Sequence, residues 1–559
     1  MVQNLGETIT IDRGKNTLLF LGAPPTSLIM PTTRLAATHD VVVVGGGHNG
    51  LTAAAYLAKA GRSVVVLERL ESTGGAAVSA VAFDGLDARL SRYSYLVSLM
   101  PKKIIDDLGL KLELARRRYS SYTPAPGHPD GAGLLIDRFD ENATRASFDR
   151  LNAGFDAVSF ASLYQDTTRV AQALWPTVTE PLLTRSQAKS RLGDDDLWNA
   201  IFERPIGEFI EARLSDDLVR GVAVTDAFIG TFAAAHDPAL HQNRCFLYHV
   251  IGGGTGDWDV PVGGMGNVTQ QLADAATSGG ARIITGAEVI SIEPDGTVRY
   301  MADGQQHTVI GRHVLANVAP FVLGQLLGKS KSELIRPEGA QVKVNLLLKR
   351  LPKLRDNSIS PEAAFGGTFH VNELYSQLAQ AHDLASNGKI PEILPCEIYC
   401  HSLTDPSILG PELTASGAQT LTVFGLHVPD RLITAENNNE KRALLQKAVV
   451  DSLNSVLAEP IEDVLMKDAQ GRPCIETKTT LDIERALNMP GGNIFHGPLS
   501  WPFVEDDATL ETPSQRWGVA TEHGERILLC GSGAVRGGAV SGIGGHNAAM
   551  AVLDATKTP

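Results

Sequence analysis

The sequence predicts an α/β protein in which a buried parallel sheet is joined to a mixed region of strands and helices, and three stretches predict it. Residues 40–68 read as strand, glycine turn, helix and strand. Residues 282–318 read as a run of short alternating strands punctuated by turns. Residues 526–553 read as a buried strand, a glycine-rich turn and a closing helix.

Residues 1–38 precede the first strand. Their apolar run, 18–30, is broken by Pro24 and Pro25 and is too short to span a membrane. No basic start leads into an unbroken apolar core, so a secretory signal is not expected. The expectation is an N-terminal arm packed on the body or on a partner subunit, in a cytoplasmic protein; a cleaved organelle-targeting segment is the alternative.

Residues 40–44 are DVVVV, β-branched and apolar as in a strand buried on both faces. Gly45, Gly47 and Gly50 then fit G-x-G-x-x-G, with His48 and Asn49 in the same turn. Residues 51–60 are rich in alanine and leucine and read as a helix, stopped at Gly61. Residues 63–67 are a second strand, ending at Glu68. This is the full context a dinucleotide fingerprint requires. Gly45 permits the tight turn, Gly47 lets a pyrophosphate approach the backbone, and Gly50 lets helix and sheet pack closely. The helix N-terminus offers unpaired N–H groups to the phosphates. Glu68 can accept hydrogen bonds from a ribose diol and would repel a 2′-phosphate, so NADP is not expected.

Gly74 and Gly75 follow in a loop suited to close backbone approach. Residues 83–100 are rich in aromatic and aliphatic side chains, with Tyr93 and Tyr95 as candidate cavity residues or core packing. Pro101 opens a helix through Leu108, and Gly109 stops it. Residues 153–175 and 195–213 carry helical spacing and predict a largely helical region. Residues 245–251 read as a strand leading into Gly252-Gly253-Gly254-Thr255-Gly256. Trp258 and Pro261 stand where a helix should start, so a second nucleotide fingerprint is not expected.

A helix is expected over 267–277. Strands follow at 282–284, 288–293, 297–301, 307–310 and 313–318, with Pro294-Asp295-Gly296 and Ala302-Asp303-Gly304 as turns. Residues 342–348, 397–400 and 420–427 read as further strands and 441–457 as a helix, a mixed sheet apart from the nucleotide fold. Residues 526–530 are a last buried strand before the glycine-rich segment 531–542 and a helix over 545–553.

The chain has 559 residues, enough for more than one core, and a net charge of −14. That charge argues against a nucleic-acid partner and against a general pull toward anionic membranes, leaving room for local peripheral contact. The five cysteines are odd in number and scattered, as for reduced thiols. Cys396, Cys400 and His401 lack a second cluster to complete a metal site, so no metal is expected, and no C-x-x-C is present.

Three separated stretches resemble one family: VVVVGGGHNGLTAAAYLAKAGRSVVVLER with Gly74-Gly75, VPVGGMGNVTQQLADAATSGGARIITGAEVISI, and GGNIFHGPLSWPF with ILLCGSGAVRGGAVSGIGGHNAA. In this order they resemble the phytoene desaturase-like FAD-dependent oxidoreductases, from about residue 40 to the C-terminus. The resemblance implies the fold shared with flavin amine oxidases: a Rossmann-like FAD-binding domain, discontinuous in sequence, and a mixed-sheet and helical substrate domain covering the flavin. The expected division is an arm at 1–38, FAD-binding parts at 39–120, 246–320 and 505–559, a helical cover region at 121–245, and a substrate domain at 321–504.

By position, the resemblance puts Gly45, Gly47 and Gly50 at the pyrophosphate and Glu68 at the adenosine ribose, with His48, Asn49 and Arg69 as further cofactor-binding candidates. It puts Gly74 and Gly75 near the phosphates and flavin, and Val289 at the adenine. Gly531, Ser532, Gly538, Val540 and Ser541 belong to the C-terminal flavin segment. Carotenoid-type members carry His-Pro-Gly-Gly-Gly there, whereas this chain has Val535-Arg536-Gly537-Gly538-Ala539. The departure leaves FAD binding in place and separates it from the carotenoid reaction.

The expected activity is dehydrogenation or isomerisation of a largely apolar organic substrate, with two electrons passing to flavin N5 and on to oxygen or a quinone. Amine oxidation is the alternative within the class. A flavoprotein kept for interaction, with FAD as a structural ligand, is the alternative outside it. Proton-handling candidates are His496, His427 and Tyr95. The oligomeric state is open, with a homo-oligomer compatible.

Overall fold

The computed structural model describes residues 37–556, which form one unit; the N-terminal arm expected over 1–38 lies almost wholly outside them. Strand β1 (Thr38–Val44), helix α1 (His48–Lys59) and strand β2 (Val64–Leu67) follow one another as the fingerprint requires. Strands β3 (Tyr119–Pro124) and β4 (Gly133–Asp137) begin a second layer. A helical region then holds α2 (Gly154–Leu174), α3 (Asp217–Val224) and α4 (His241–Val250). Helix α5 (Met265–Ser278) leads back to β5 (Arg282–Ile284), β6 (Glu288–Ile292), β7 (Thr297–Ala302) and the long β8 (Gln305–Ala316). Strands β9 (Val342–Leu348), β10 (Thr368–Val371), β11 (Cys396–Tyr399), β12 (Gln419–Gly425) and β13 (Ile475–Lys478) extend the second layer. Strand β14 (Ile527–Leu529) and helix α6 (Ile543–Ala555) close the chain.

The first sheet has the order β5-β2-β1-β8-β7-β6, with β14 also paired to β8. The pairs β5/β2, β2/β1, β1/β8 and β8/β14 are parallel, and β6, β7 and β8 form antiparallel hairpins. Val41 to Val44 are buried on both faces, and α1 packs between α5 and α6. Segments 38–67, 282–316 and 527–529 thus build one sheet from the two ends and the middle of the chain. The second sheet runs β13-β9-β12-β11-β10-β3-β4 and is antiparallel except for β10/β3.

Three expectations change. Residues 245–250 are helical rather than a strand, because Cys245, Phe246, Leu247, Tyr248 and Val250 are all buried around α4 and a nearly continuous apolar run, broken only by His249, carries no period to distinguish helix from strand. The helix expected over 195–213 breaks at Pro205, which starts a new turn at Ile206. The strands expected at 307–310 and 313–318 join into β8.

Candidate functional site

The turn between β1 and α1 is built by its glycines. Gly45 has φ +100°, and a Cβ there would lie 2.7 Å from the Asn317 carbonyl oxygen. A Cβ on Gly50 would lie 2.2 Å from the Gly45 carbonyl oxygen, so α1 could not seat against β1 with a side chain there. Gly47 is the N-cap of α1 and supplies no side-chain cap, so the first-turn N–H groups stay open to a ligand. The Asn49 amide is buried with no hydrogen-bond partner on either atom. An uncapped helix start with an orphaned amide beside it fits an anionic group such as a pyrophosphate.

Glu68 is held by this turn: its Oε2 accepts from the Gly46 N–H at 2.7 Å and its Oε1 from the Leu70 N–H at 2.8 Å. Each oxygen keeps acceptor capacity for a ligand hydroxyl. Asn317, which the sequence reading missed, donates from Nδ2 to the Gly45 carbonyl at 3.0 Å and stands 3.1 Å from where a Gly531 Cβ would be. It braces the N-terminal turn against the C-terminal segment.

One cavity of about 290 Å³ starts here. Gly45, Gly47, His48, Asn49, Glu68 and Arg69 line it, with Gly75, Val289, Ser532 and Val540. Tyr95 and His496 lie in its wall as well, and so does Tyr93. Gly50, Gly74, Gly531, Gly538 and Ser541 are not in the wall and act behind it. Gly74 N–H donates to the Gly46 carbonyl at 2.9 Å. The Ser541 hydroxyl accepts from the Ile543 N–H at 3.2 Å, at the start of α6. Gly538, at φ +116°, faces Leu499 and Phe495. His427 is a correction: it lies outside this cavity, in a second, smaller one with Phe228 and His382, because β12 ends two residues before it and the chain turns there at φ +56°.

Beyond the glycine turn the wall is less apolar than expected. Leu67, Val322, Ile483, Met489 and Phe495 line one part, but Arg117, Asp226, Lys343, His370, Glu397 and Tyr399 line the inner end. Lys343 Nζ sits 3.7 Å from the centre of the Tyr95 ring, is buried, and has no hydrogen-bond partner. Burial holds its pKa well below the lysine range. The Tyr95 and Tyr399 rings lie 4.5 Å apart. The Tyr399 hydroxyl donates a short hydrogen bond to Glu397 Oε2, and burial, with Asp226 next, pushes the Glu397 carboxyl up to about 8. Arg117 donates to Thr368 Oγ1 and to the Trp258 carbonyl, both at 3.2 Å. His496, at φ +64°, has its Nδ1 buried without a partner. Burial lowers His496 to about 4 and, with the charge of His496 added, His48 to about 4, so both rings are neutral at pH 7. The cysteine pair gathers nothing: the Cys396 thiol donates to the Leu394 carbonyl and the Cys400 thiol meets Ser402.

Arg536 explains the departure in the C-terminal segment. It is buried, and its guanidinium donates to the carbonyls of Thr177 at 2.6 Å, Glu180 at 2.5 Å and Trp517 at 3.3 Å. The side chain ties the segment to the helical region. In Arg536→Ala three carbonyls lose a charged donor, so a loss of about 3 kcal/mol or more is expected in denaturant unfolding. A loss below about 1 kcal/mol would mean the tie is dispensable.

The pattern of the NAD(P)-binding Rossmann-like domain family matches residues 43–102. An uncharacterized protein of Mycobacterium tuberculosis is 58% identical over 523 residues, 92% of this chain and 97% of that one. Mouse pyridine nucleotide-disulfide oxidoreductase domain-containing protein 2 is 29% identical over 93% of this chain and 94% of its own length. Phytoene dehydrogenase of Streptomyces griseus is 26% identical over 66% of this chain and 70% of its own. Among solved structures, cyclohexylamine oxidase from Brevibacterium oxydans shares the fold with a TM-score of 0.53, at 15% identity, over 93% of this chain and 99% of that one.

The fold is the one shared with flavin amine oxidases, around a Rossmann-like domain, and the class is oxidoreductase. The chain belongs to the same family as the mycobacterial protein and is similar to pyridine nucleotide-disulfide oxidoreductase domain-containing protein 2 and to phytoene dehydrogenase. No helix among the described residues is long and apolar enough to cross a membrane.

Proposed function

We propose that the cavity binds one FAD and that the chain dehydrogenates, or isomerises, an organic substrate placed at the inner end. The observation that carries this reading is the continuity of one cavity from the uncapped start of α1 to Tyr95 and Lys343. A dinucleotide held only as a structural ligand needs no such extension, which argues against a purely interaction-based role. Bound FAD would supply two-electron acceptance at N5, with oxygen or a quinone as the onward acceptor.

The residues divide the work. The α1 N-terminus takes the pyrophosphate, Glu68 the ribose diol, and Val289 the adenine edge. Backbone N–H groups around Val540 face the developing charge. The cofactor lobe would be assembled from 39–120, 246–320 and 505–559, and the substrate lobe from 121–245 and 321–504; the composition of the two sheets supports that division. The mixed wall favours a substrate with an apolar body and a polar group directed at the inner end. Lys343 and the neutral His496 are the groups placed to move a proton there. The buried Glu397 and the half-buried Asp226 in the wall favour an amine as the second reading.

Two experiments test this. Glu68→Ala removes charged acceptors for the ribose, so FAD affinity should fall by roughly ten- to a hundredfold, about 1.5–3 kcal/mol; unchanged affinity removes Glu68 from the site. An anaerobic screen of alcohols, amines and unsaturated apolar compounds for loss of the oxidised-flavin absorbance assigns the substrate class. Bleaching by amines alone favours the second reading. No bleaching by any class favours a structural role.

A further inference from the structure

We propose that His370, Glu373 and Glu397 form a binding site for one divalent transition-metal ion in the inner wall of the cavity. The register of the second sheet brings the three together: β10 and β11 are antiparallel, and His370 stands directly opposite Glu397. Directly opposed residues share one face of a sheet. Two residues after His370, Asn372 adopts φ +58° and turns the chain, and Glu373 follows it. Helix α3 presses on this corner, where a Cβ on Gly221 would lie 1.8 Å from the Glu373 carbonyl oxygen. One nitrogen and two carboxylate oxygens therefore lie within 4.8 Å of one another, all buried. Ligands about 2.1 Å from a common ion sit up to about 4.2 Å apart, so small side-chain rotations complete the shell.

The hydrogen bonding points the same way. Both Glu373 carboxylate oxygens are buried with no hydrogen-bond partner. The charged groups facing Glu373 are the carboxyls of Glu397 and Asp226, and only the Thr225 hydroxyl eases its charge, so no cation compensates it. Arg117 is the cation facing Glu397. Were all three acids ionised, one guanidinium would leave two negative charges, which a divalent ion would neutralise. The ligands are also oriented from behind. Thr123 Oγ1 engages His370 Nδ1 at 2.9 Å, leaving Nε2 for the ion, and the Tyr399 hydroxyl holds Glu397. Partners of this kind fix ligand geometry at metal sites. One imidazole with two carboxylates suits Mn²⁺, Fe²⁺ or Zn²⁺. His370 and Glu397 line the cavity, so the ion has a path in and an open position toward a substrate oxygen. The site stands apart from the FAD reading, because its test needs no turnover. It departs from the expectation of no metal, since its ligands meet only through sheet pairing.

The test uses the full chain as purified, stripped with chelator and titrated with Mn²⁺ followed by electron paramagnetic resonance, and separately with Zn²⁺ followed by calorimetry. The expected result is one ion per chain for at least one of the two metals. In Glu373→Gln and in Glu397→Gln the affinity should fall by about a hundredfold or more, with FAD content and circular dichroism preserved in Glu373→Gln. The proposal is overturned if the wild type binds neither ion stoichiometrically, which would leave the acids sharing protons instead. It is equally overturned if Glu373→Gln binds as tightly as wild type. Should Glu373→Gln fold poorly, Glu373→Asp replaces it and must still weaken binding at least tenfold.

Discussion

Gly50→Ala should yield protein that is purified largely without cofactor and is less stable by about 1–3 kcal/mol. The new Cβ would stand 2.2 Å from the Gly45 carbonyl oxygen and 2.8 Å from Asn317 Nδ2. Neither can yield cheaply, because Gly45 is fixed by its N–H bond to the Leu67 carbonyl at 2.8 Å and Asn317 holds the turn from the other side. Helix α1 must therefore lift from β1, carrying its open N–H groups away from the pyrophosphate. Loss of two charge-assisted hydrogen bonds would weaken FAD binding by a hundredfold or more, at roughly 1.5–3 kcal/mol each. The check is the ratio of flavin to protein after purification, with denaturant unfolding alongside. Full occupancy at wild-type stability would show that close packing at Gly50 is not what positions the helix.

Lys343→Met should separate stability from activity. Lys343 is a buried amine without a hydrogen-bond partner, resting on the Tyr95 ring in the cavity wall. Its pKa is depressed in the folded state, so between that value and the ordinary 10.5 the unfolded chain binds more protons than the folded one. Wild-type stability should therefore rise with pH through that window, and the variant should lose this part of the slope. At neutral pH the variant should be the more stable of the two, since methionine fills similar space with no charge to desolvate. Flavin reduction by the substrate found in the anaerobic screen should nonetheless slow by roughly a hundredfold to ten-thousandfold, the range for losing a positioned proton-transfer group. A variant that reduces its flavin at the wild-type rate would take Lys343 out of the chemistry.

What the sequence disclosed was local. The spacing of Gly45, Gly47, Gly50 and Glu68 sits within 24 residues of continuous chain, and each has a task that its neighbours define. The strands of both sheets were largely legible because β-branched runs are bounded by turns. The inner wall was not. Arg117, Asp226, Lys343, His370 and Glu397 come from five separate stretches, and only sheet register and the packing of α3 bring them together. Lys343 reads as one of two polar residues, with Asn345, in an otherwise apolar strand, and its significance depends on the burial of both faces of β9. His427 misled because a histidine at a strand end has no sequence mark for the side on which it lies. Residues 245–251 misled because an all-buried helix and a buried strand share one composition. Arg536 was noted only as a departure from a proline; the carbonyls it ties lie far away in sequence, at Thr177 and Glu180.

The central claim, that this cavity is an FAD site, is tested most directly by denaturing the purified wild-type protein and identifying what it releases. The account predicts about one FAD per chain, with no FMN and no nicotinamide nucleotide. Release of a nicotinamide dinucleotide in place of flavin, or failure of the apoprotein to take up added FAD, would contradict it.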